Sequence, residues 1–171
     1  RLWHEDILPD LDAAGIHIHM HRGLTGDQKA AVRSFFNREV FPVLTPLAFD
    51  SSHPFPFISN LSMNLAVVVQ HGGRTKFARV KVPPRLPRFV QLPPSLSPPG
   101  HLTFVFLEDV IRANVQELFP GTQVKGAHLF RIVRDTDLEI EADEADDLLE
   151  SVDRSLKQLR HGAIALLQVE A

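Results

Sequence analysis

Three histidines near the start of the chain have a spacing that could bring metal ligands together. His17, His19 and His21 alternate with isoleucine and methionine, which predicts a β-strand with all three rings on one face. Successive rings would lie about 6.8 Å apart, so only neighbours could share an ion, and a further ligand such as His53 would be needed. The sequence shows no outer hydrogen-bond partners for such ligands. We therefore expect an exposed polar face and assign no metal ligand; the alternative is a histidine–metal hydrolase, which elemental analysis would detect.

A group of basic residues is the second feature that could bind a ligand. Strand alternation places Phe77, Arg79 and Lys81 on one face of a predicted hairpin, and Arg85 and Arg88 follow soon after. A linear polyanion can bind along such a surface, as phosphate chains bind rows of lysine and arginine. These four cations are therefore the candidate polyanion-binding residues. The alternative is an ordinary solvated face.

Other motifs for catalysis are missing from the sequence. The acidic run Asp143–Asp147 lacks the alternating ligands and central glycine of a calcium loop, and its position at the start of a predicted helix explains it better. There is no nucleophile elbow, no Walker glycine loop and no protein-kinase signature. The pair Gly72-Gly73 is typical of a turn. We assign no catalytic residue to this chain and expect it to bind no cofactor by itself.

The composition is typical of one ordinary globular domain. The chain has 171 residues, of which 44% are hydrophobic and 23% charged, and a net charge of −3. It has no cysteine, which excludes disulfides and thiolate metal sites and agrees with a cytoplasmic location. No apolar run approaches the roughly 20 residues that span a bilayer. Because the chain begins at Arg1 rather than Met, we expect a fragment of a longer protein.

The charges are divided between two regions. Ser51–Leu107 contains no acidic residue, whereas Asp135–Asp153 contains ten acidic residues and no lysine or arginine. This division predicts one basic and one acidic surface, and both can also be plain solvated faces. We expect no nucleic-acid partner.

A proline-rich connector, Phe41–Asn64, organises the predicted elements. It contains four prolines alternating with four phenylalanines. Proline fixes φ and lacks an N–H, so no helix should run through it, and residues that precede a proline, such as Phe41, should be extended. Four phenylalanines must pack, so one expectation is that they all fill the core under the hairpin. The other is that the rigid segment Pro54–Phe57 presents Phe55 and Phe57 outward as interface anchors.

Helix and strand patterns follow one another irregularly around this connector. Predicted helices are 1–14 (interrupted by Pro9 and ended by Gly15), a helix opened by the capping box of Thr25 and Gln28 and running to Glu39, Glu108–Phe119, and Asp143–Arg160. Predicted strands are Ile16–Met20, Asn64–Gln70, Thr75–Val82, Arg88–Leu92, Leu102–Leu107, Ala127–Val133 and Ala163–Val169. Without a regular βαβ repeat, the pattern predicts an α+β fold, with a mixed or antiparallel sheet and packed helices. In the last helix Leu149 lies on the apolar stripe, so Leu149→Ala should cost about 2–5 kcal/mol.

The segment FFNREVFPVLTPLAFDSSHPFPFISNLSMNLAVVV resembles the start of the middle, or head, domain of the class 1 polyphosphate kinases. The resemblance continues in the family's order through VPPRLPRFVQLPP, FVFLEDVIRANVQELFPG and FRIVRDTDLEIEADEADDLLESV. It covers nearly the whole chain and does not depend on one short motif. It implies that residues 1–15 are the last helix of a preceding helical domain and that residues 16–171 form the head domain.

For the parent protein, the resemblance implies reversible transfer of the terminal phosphate of ATP to inorganic polyphosphate through a phosphohistidine, with ATP and magnesium as cofactors. In that family the phosphorylated histidine lies in C-terminal domains, and the head domain serves dimerisation and encloses the active-site tunnel. None of the nine histidines lies in a stretch that resembles the phosphohistidine segment.

The expected partners are the missing N-terminal and C-terminal domains, a second subunit and polyphosphate. The isolated chain should be inactive. The alternative is a free-standing interaction domain that has lost the catalytic domains.

Overall fold

The computed structural model describes residues 2–49, 56–135 and 163–170, and these residues form two β-sheets packed with helices. The α+β class predicted from the sequence is confirmed. The strands are β1 (Ile16–His19), β2 (Leu47–Phe49), β3 (Met63–His71), β4 (Arg74–Lys81), β5 (Phe89–Gln91), β6 (Leu102–Phe106), β7 (Gln123–Arg134) and β8 (Ile164–Val169). The helices are α1 (Leu8–Ala13), α2 (Gly26–Phe35) and α3 (Leu107–Asn114).

The smaller sheet is mixed and has the order β1-β6-β5. Strand β1 pairs in parallel with β6, so that Ile16 lies opposite Leu102, whereas β5 pairs antiparallel with β6. A parallel pair needs a long crossover connection. Here that connection contains the whole connector and the hairpin, which is why residues far apart in sequence meet beside β1.

The larger sheet is antiparallel and has the order β2-β4-β3-β7-β8. The predicted hairpin forms its centre, as β3 and β4. Gly72 and Gly73 have φ of 55° and 76°, the left-handed geometry that a two-residue hairpin turn requires and that glycine adopts without strain. A β-bulge between Val68 and Val69 shifts the register of β3 against β7.

The first helical segment runs without a break from Trp3 to Ala13. A π-helical turn, Trp3–Ile7, leads directly into α1. The predicted interruption at Pro9 is limited to a change of helix type: the π-helical turn ends at Ile7 and α1 begins at Leu8, and the chain does not leave the helical path. Gly15, with φ of 77°, ends the segment as predicted.

The second helix begins as the sequence predicts. Thr25 and Gln28 exchange the two hydrogen bonds of a capping box at the start of α2, and a π-helical turn, Phe36–Val40, extends the helical path. Helix α3 continues into a 3-10 turn, Val115–Leu118.

One hydrophobic cluster joins both sheets to α2 and α3. Strand β3 contributes Leu65 and Val67, and β4 contributes Val80, each with no exposed surface. The helices and β6 complete the cluster with residues that are 0–1% exposed: Val32, Phe36, Val105, Leu107, Val110 and Ile111.

The connector differs from its prediction in two ways. Phe41 lies in a 3-10 turn, Phe41–Val43, with φ of −52° and ψ of −45°, so its predicted extended geometry is wrong. Its ring packs against the buried ring of Phe36, with centroids 6.0 Å apart, and that packing outweighs the steric preference of a residue before proline. The connector also contains β2, which pairs with β4.

Two aliphatic residues of the connector are buried, whereas two of its phenylalanines are about half exposed. Leu44 and Ile58 are 9% and 3% exposed, whereas Phe41 and Phe57 are 43% and 48% exposed. The expectation that all four phenylalanines fill the core is therefore wrong.

Several predictions concern residues outside the described ranges. These are the helix Asp143–Arg160 with Leu149, the acidic run Asp143–Asp147, and the positions of His53 and Phe55. Within the described ranges no helix is long and apolar enough to cross a membrane.

Candidate functional site

The predicted cations Arg79 and Lys81 lie on one face of β4. The alternate residues Ala78 and Val80 are fully buried on the other face, so the predicted alternation is confirmed. Arg79 Nη1 donates a hydrogen bond of 2.6 Å to the carbonyl oxygen of Phe57, and Lys81 Nζ donates one of 3.4 Å to Ser59 Oγ. Both cations therefore hold the end of the connector against the sheet.

Arg134, at the end of β7, holds the same segment and was not predicted. Its Nε donates to the carbonyl oxygen of Ile58 at 3.1 Å, and its guanidinium lies 4.6 Å from the ring centroid of Phe57. The backbone N–H of Arg134 donates to Asn60 Oδ1 at 2.8 Å. The segment from Phe57 to Asn60 is thus fastened by cations from two strands.

Burial lowers the pKa of Arg79 because the protein withdraws water from its charged form. The guanidinium stays charged, since the ordinary pKa of arginine lies far above neutral pH. Its Nε has no hydrogen-bond partner among the described residues. This partly buried cation would be stabilised by an approaching anion.

The other two predicted cations lie outside this face. Arg85 is exposed in the loop between β4 and β5. Arg88 donates from Nε and Nη2 to one oxygen of Glu108, at 2.9 and 2.7 Å, and lies over the ring of Phe106 at 5.1 Å. Glu108 is only 5% exposed, so the charge of Arg88 is neutralised by a buried carboxylate. The structure brings Arg79 and Lys81 together and gives Arg88 a different environment.

An apolar strip lies beside the two cations. Phe57, Phe77 and Leu47 are 48%, 47% and 39% exposed. Phe77 stacks on Phe49 of β2, with centroids 5.9 Å apart, and Leu47 lies opposite Arg79. We call Leu47, Phe49, Phe57 and Phe77 the aromatic strip. The sequence indicated Phe57 as an interface residue and missed the others, although the exposed Phe77 could be read from its alternation with Ala78.

The three histidines do not share one face. His17 and His19 lie on β1 with stacked rings, but His21 lies in a 3-10 turn, His21–Gly23, because the strand ends after His19. Burial is the largest influence on His21 and lowers its pKa, against the opposing effect of Asp109. Asp109 accepts a hydrogen bond from the backbone N–H of His21. The predicted three-histidine face is therefore wrong.

A cleft of about 450 Å³ lies where the carboxyl ends of the parallel strands β1 and β6 meet α3. Its lining includes Trp3, Met20, Phe106, Arg112 and Arg131. The charged residues around it are paired: Arg112 donates twice to Glu170, at 2.7 Å each, and Arg131 donates to Gln168 at 2.7 Å. No local pattern in the sequence indicated this cleft, because its walls come from both ends of the chain.

No group of three or more His, Asp or Glu side chains converges on one point within residues 2–49, 56–135 and 163–170. Of the acids that line the cleft, Glu108 and Glu170 are engaged by arginines, and Asp109 accepts from the backbone N–H of His21.

Comparison with known proteins gives consistent matches over nearly the whole chain. Residues 27–171 match the family described as "Polyphosphate kinase middle domain". The chain is 45% identical over 170 residues to a protein of Streptomyces coelicolor named "Polyphosphate kinase", covering 98% of this chain and 22% of that protein. It is 44% identical over 170 residues to "Polyphosphate kinase 1" of Chlorobaculum tepidum, covering 96% of this chain and 24% of that protein.

A solved structure agrees with these matches. The crystal structure of the polyphosphate kinase from Porphyromonas gingivalis aligns with a TM-score of 0.71 and 30% identity, covering 94% of this chain and 27% of that one. The chain therefore spans about a quarter of the length of the proteins it matches.

Proposed function

The chain belongs to the polyphosphate kinase family, as its middle domain, and we propose that it is part of an enzyme that reversibly transfers the terminal phosphate of ATP to inorganic polyphosphate. The observation that carries this proposal is the 45% identity that extends over 98% of the chain. The phosphohistidine and the sites for ATP and magnesium would belong to the other domains of a cytoplasmic parent enzyme.

Within such an enzyme the chain would serve as a scaffold that encloses the active-site tunnel and joins two subunits. The aromatic strip supports this role, because rigidly held aromatic side chains at a surface are favoured interface anchors. Phe57 is held by the hydrogen bond that Arg79 donates to its carbonyl oxygen and by the guanidinium of Arg134 over its ring. Its side chain therefore loses little conformational freedom on docking. Its partners would be a second subunit and the missing domains.

Polyphosphate would bind along the cations on β4. Arg79 and Lys81 share a face, and the exposed Arg85 follows them in the chain. A phosphate chain would compete with Phe57 and Ser59 for their donors, so we expect weaker binding than on a free row of cations. Arg88 would contribute less than the other three, since Glu108 neutralises it.

The test of the catalytic division is an activity assay on the chain alone. The purified 171-residue chain, incubated with magnesium and ATP labelled in the terminal phosphate, should form no acid-stable polymer. The polyphosphate kinase of Streptomyces coelicolor, prepared identically, is the positive control. Labelled polymer from the chain alone, in a preparation free of host kinase, would place catalysis inside this domain and refute the proposal.

A further inference from the structure

Three polar side chains form a hydrogen-bonded row beside the parallel strand pair. Asp12 Oδ1 accepts from His17 Nδ1 at 2.8 Å, and His17 Nε2 lies 2.7 Å from His101 Nδ1. The rings of His17 and His101 are nearly parallel, with centroids 5.0 Å apart. Asp12 comes from α1, His17 from β1 and His101 from the loop before β6, so three separate elements meet at the row.

The acceptor at one end fixes the proton positions. A carboxylate only accepts hydrogen bonds, so His17 Nδ1 must carry a proton and donate it to Asp12. In neutral His17, Nε2 is then an unprotonated lone pair directed at His101. A carboxylate on one ring nitrogen that leaves the other nitrogen basic is the arrangement found behind metal-bound histidines.

We propose that His17 Nε2 and His101 Nδ1 bind one late transition-metal ion, of the class of Cu²⁺, Ni²⁺ and Zn²⁺, with Asp12 orienting His17. Imidazole suits these ions. Metal–nitrogen bonds of about 2.0–2.1 Å at tetrahedral angles place the two nitrogens about 3.3 Å apart. The present separation is 2.7 Å, so the two nitrogens must part by about 0.6 Å and the rings must turn until both lone pairs point at the ion.

The surroundings allow that small movement. His101 is exposed, and it lies at the end of the loop Pro93–Gly100, while His17 is held on β1. On binding, the proton on His101 Nδ1 moves to Nε2, which faces away from the ion. The ring of His101 lies against Gly15, where an added Cβ would come within 3.4 Å of it, so the chain leaves room for the ring beside Gly15.

The site is a two-histidine site, with water in the remaining positions. Among the described residues no group of three or more His, Asp or Glu side chains converges on one point. His19 stacks on His17, with centroids 6.1 Å apart, and is not hydrogen-bonded into the row. The ion would therefore tie β1 to the loop before β6, at the place where the backbone N–H of Leu102 already donates to the carbonyl of Gly15 at 2.9 Å.

The test uses the tag-free 171-residue chain, stripped with EDTA and titrated with Cu²⁺ or Zn²⁺ by calorimetry. We expect one equivalent to bind and the Cu²⁺ electron paramagnetic resonance spectrum to show two nitrogen ligands. His17→Gln and His101→Asn keep a side-chain amide near the lost nitrogen, and each should weaken binding at least tenfold. Asp12→Asn should weaken it about tenfold or more. His19→Ala, on the same strand, is the matched control and should bind as the wild type does.

Two results would overturn the proposal. One is unchanged affinity in His17→Gln or His101→Asn, which would make the row a plain hydrogen-bond relay. The other is a wild-type Cu²⁺ spectrum with one nitrogen or none, a measurement that depends on no variant and therefore on no variant's folding. Melting temperatures measured in EDTA show whether each variant has kept the fold.

Discussion

Truncating Phe57 distinguishes an interface residue from a core residue. Phe57 is 48% exposed, so just over half of its side chain is covered in the chain. Full burial of a phenylalanine stabilises by about 1.5–3 kcal/mol, so the covered half contributes about 1–1.5 kcal/mol. The guanidinium of Arg134 over its ring at 4.6 Å adds about 0.5–1 kcal/mol. Phe57→Ala should therefore lower the free energy of unfolding by about 2 kcal/mol.

The matched control is Phe36→Ala. Phe36 is fully buried, and removing a buried phenylalanine leaves a cavity that costs about 3–5 kcal/mol. With a urea dependence of about 2 kcal/mol per molar, the unfolding midpoint should fall by about 1 M for Phe57→Ala and by about 2 M for Phe36→Ala.

Sedimentation velocity tests the interface directly. Phe57→Ala should weaken self-association, or docking to the missing domains, by about 2 kcal/mol or more. Phe77→Ala should do the same, and because Phe77 is 47% exposed it should also lower the free energy of unfolding by about 1–1.5 kcal/mol. A Phe57→Ala midpoint as low as that of Phe36→Ala, with an unchanged sedimentation profile, would show that Phe57 acts only within the fold. The interface prediction also covers Phe55, so Phe55→Ala should be measured by the same urea unfolding and sedimentation velocity experiments.

Two further predictions concern charge. Arg88→Met removes both hydrogen bonds to the buried Glu108 and should cost about 1–3 kcal/mol in urea unfolding; if the double variant with Glu108→Leu is no more stable than the single one, the loss does not come from an unpaired carboxylate. Burial by itself would raise the pKa of Glu170, but the hydrogen bonds and charge of Arg112 outweigh it and hold that pKa below its usual value. The stability that Glu170 contributes is therefore complete at neutral pH and lost as the pH falls through the lowered pKa. The stability difference between wild type and Glu170→Gln should shrink between pH 6 and pH 3, roughly the range in which a carboxyl with a depressed pKa takes up its proton, and a constant difference would contradict the assignment.

Local signals in the sequence were enough to predict most of the regular elements. The capping box at Thr25, the valine-rich alternation of β3 and the paired glycines of the hairpin turn each depend on neighbouring residues, and each appears where expected. The errors occur where a distant contact decides the local geometry. Phe41 turns because Phe36 lies beneath it, and three-residue β2 exists because β4 offers a free edge.

The contacts of the proposed metal site, formed by Asp12, His17 and His101, were less predictable for the same reason. The hydrogen bond between His17 and His101 joins residues 84 positions apart, and the residues around either histidine do not predict the contact with the other. The parallel pairing of β1 with β6 creates that contact, and it depends on the whole crossover between them. Asp12 is only five residues before His17, but the side chain of Asp12 reaches the His17 ring only because α1 ends and the chain turns at Gly15.

The row of cations shows why charge in a sequence does not by itself define a binding surface. Arg79, Lys81 and Arg88 look equivalent in the chain, yet each has a different partner: a backbone carbonyl, a hydroxyl and a buried carboxylate. A carbonyl or hydroxyl leaves the net charge in place, so Arg79 and Lys81 still attract an anion, whereas Glu108 cancels the charge of Arg88. Polyanion affinity should therefore depend on Arg79 and Lys81 more than on Arg88, although all three have hydrogen-bond partners.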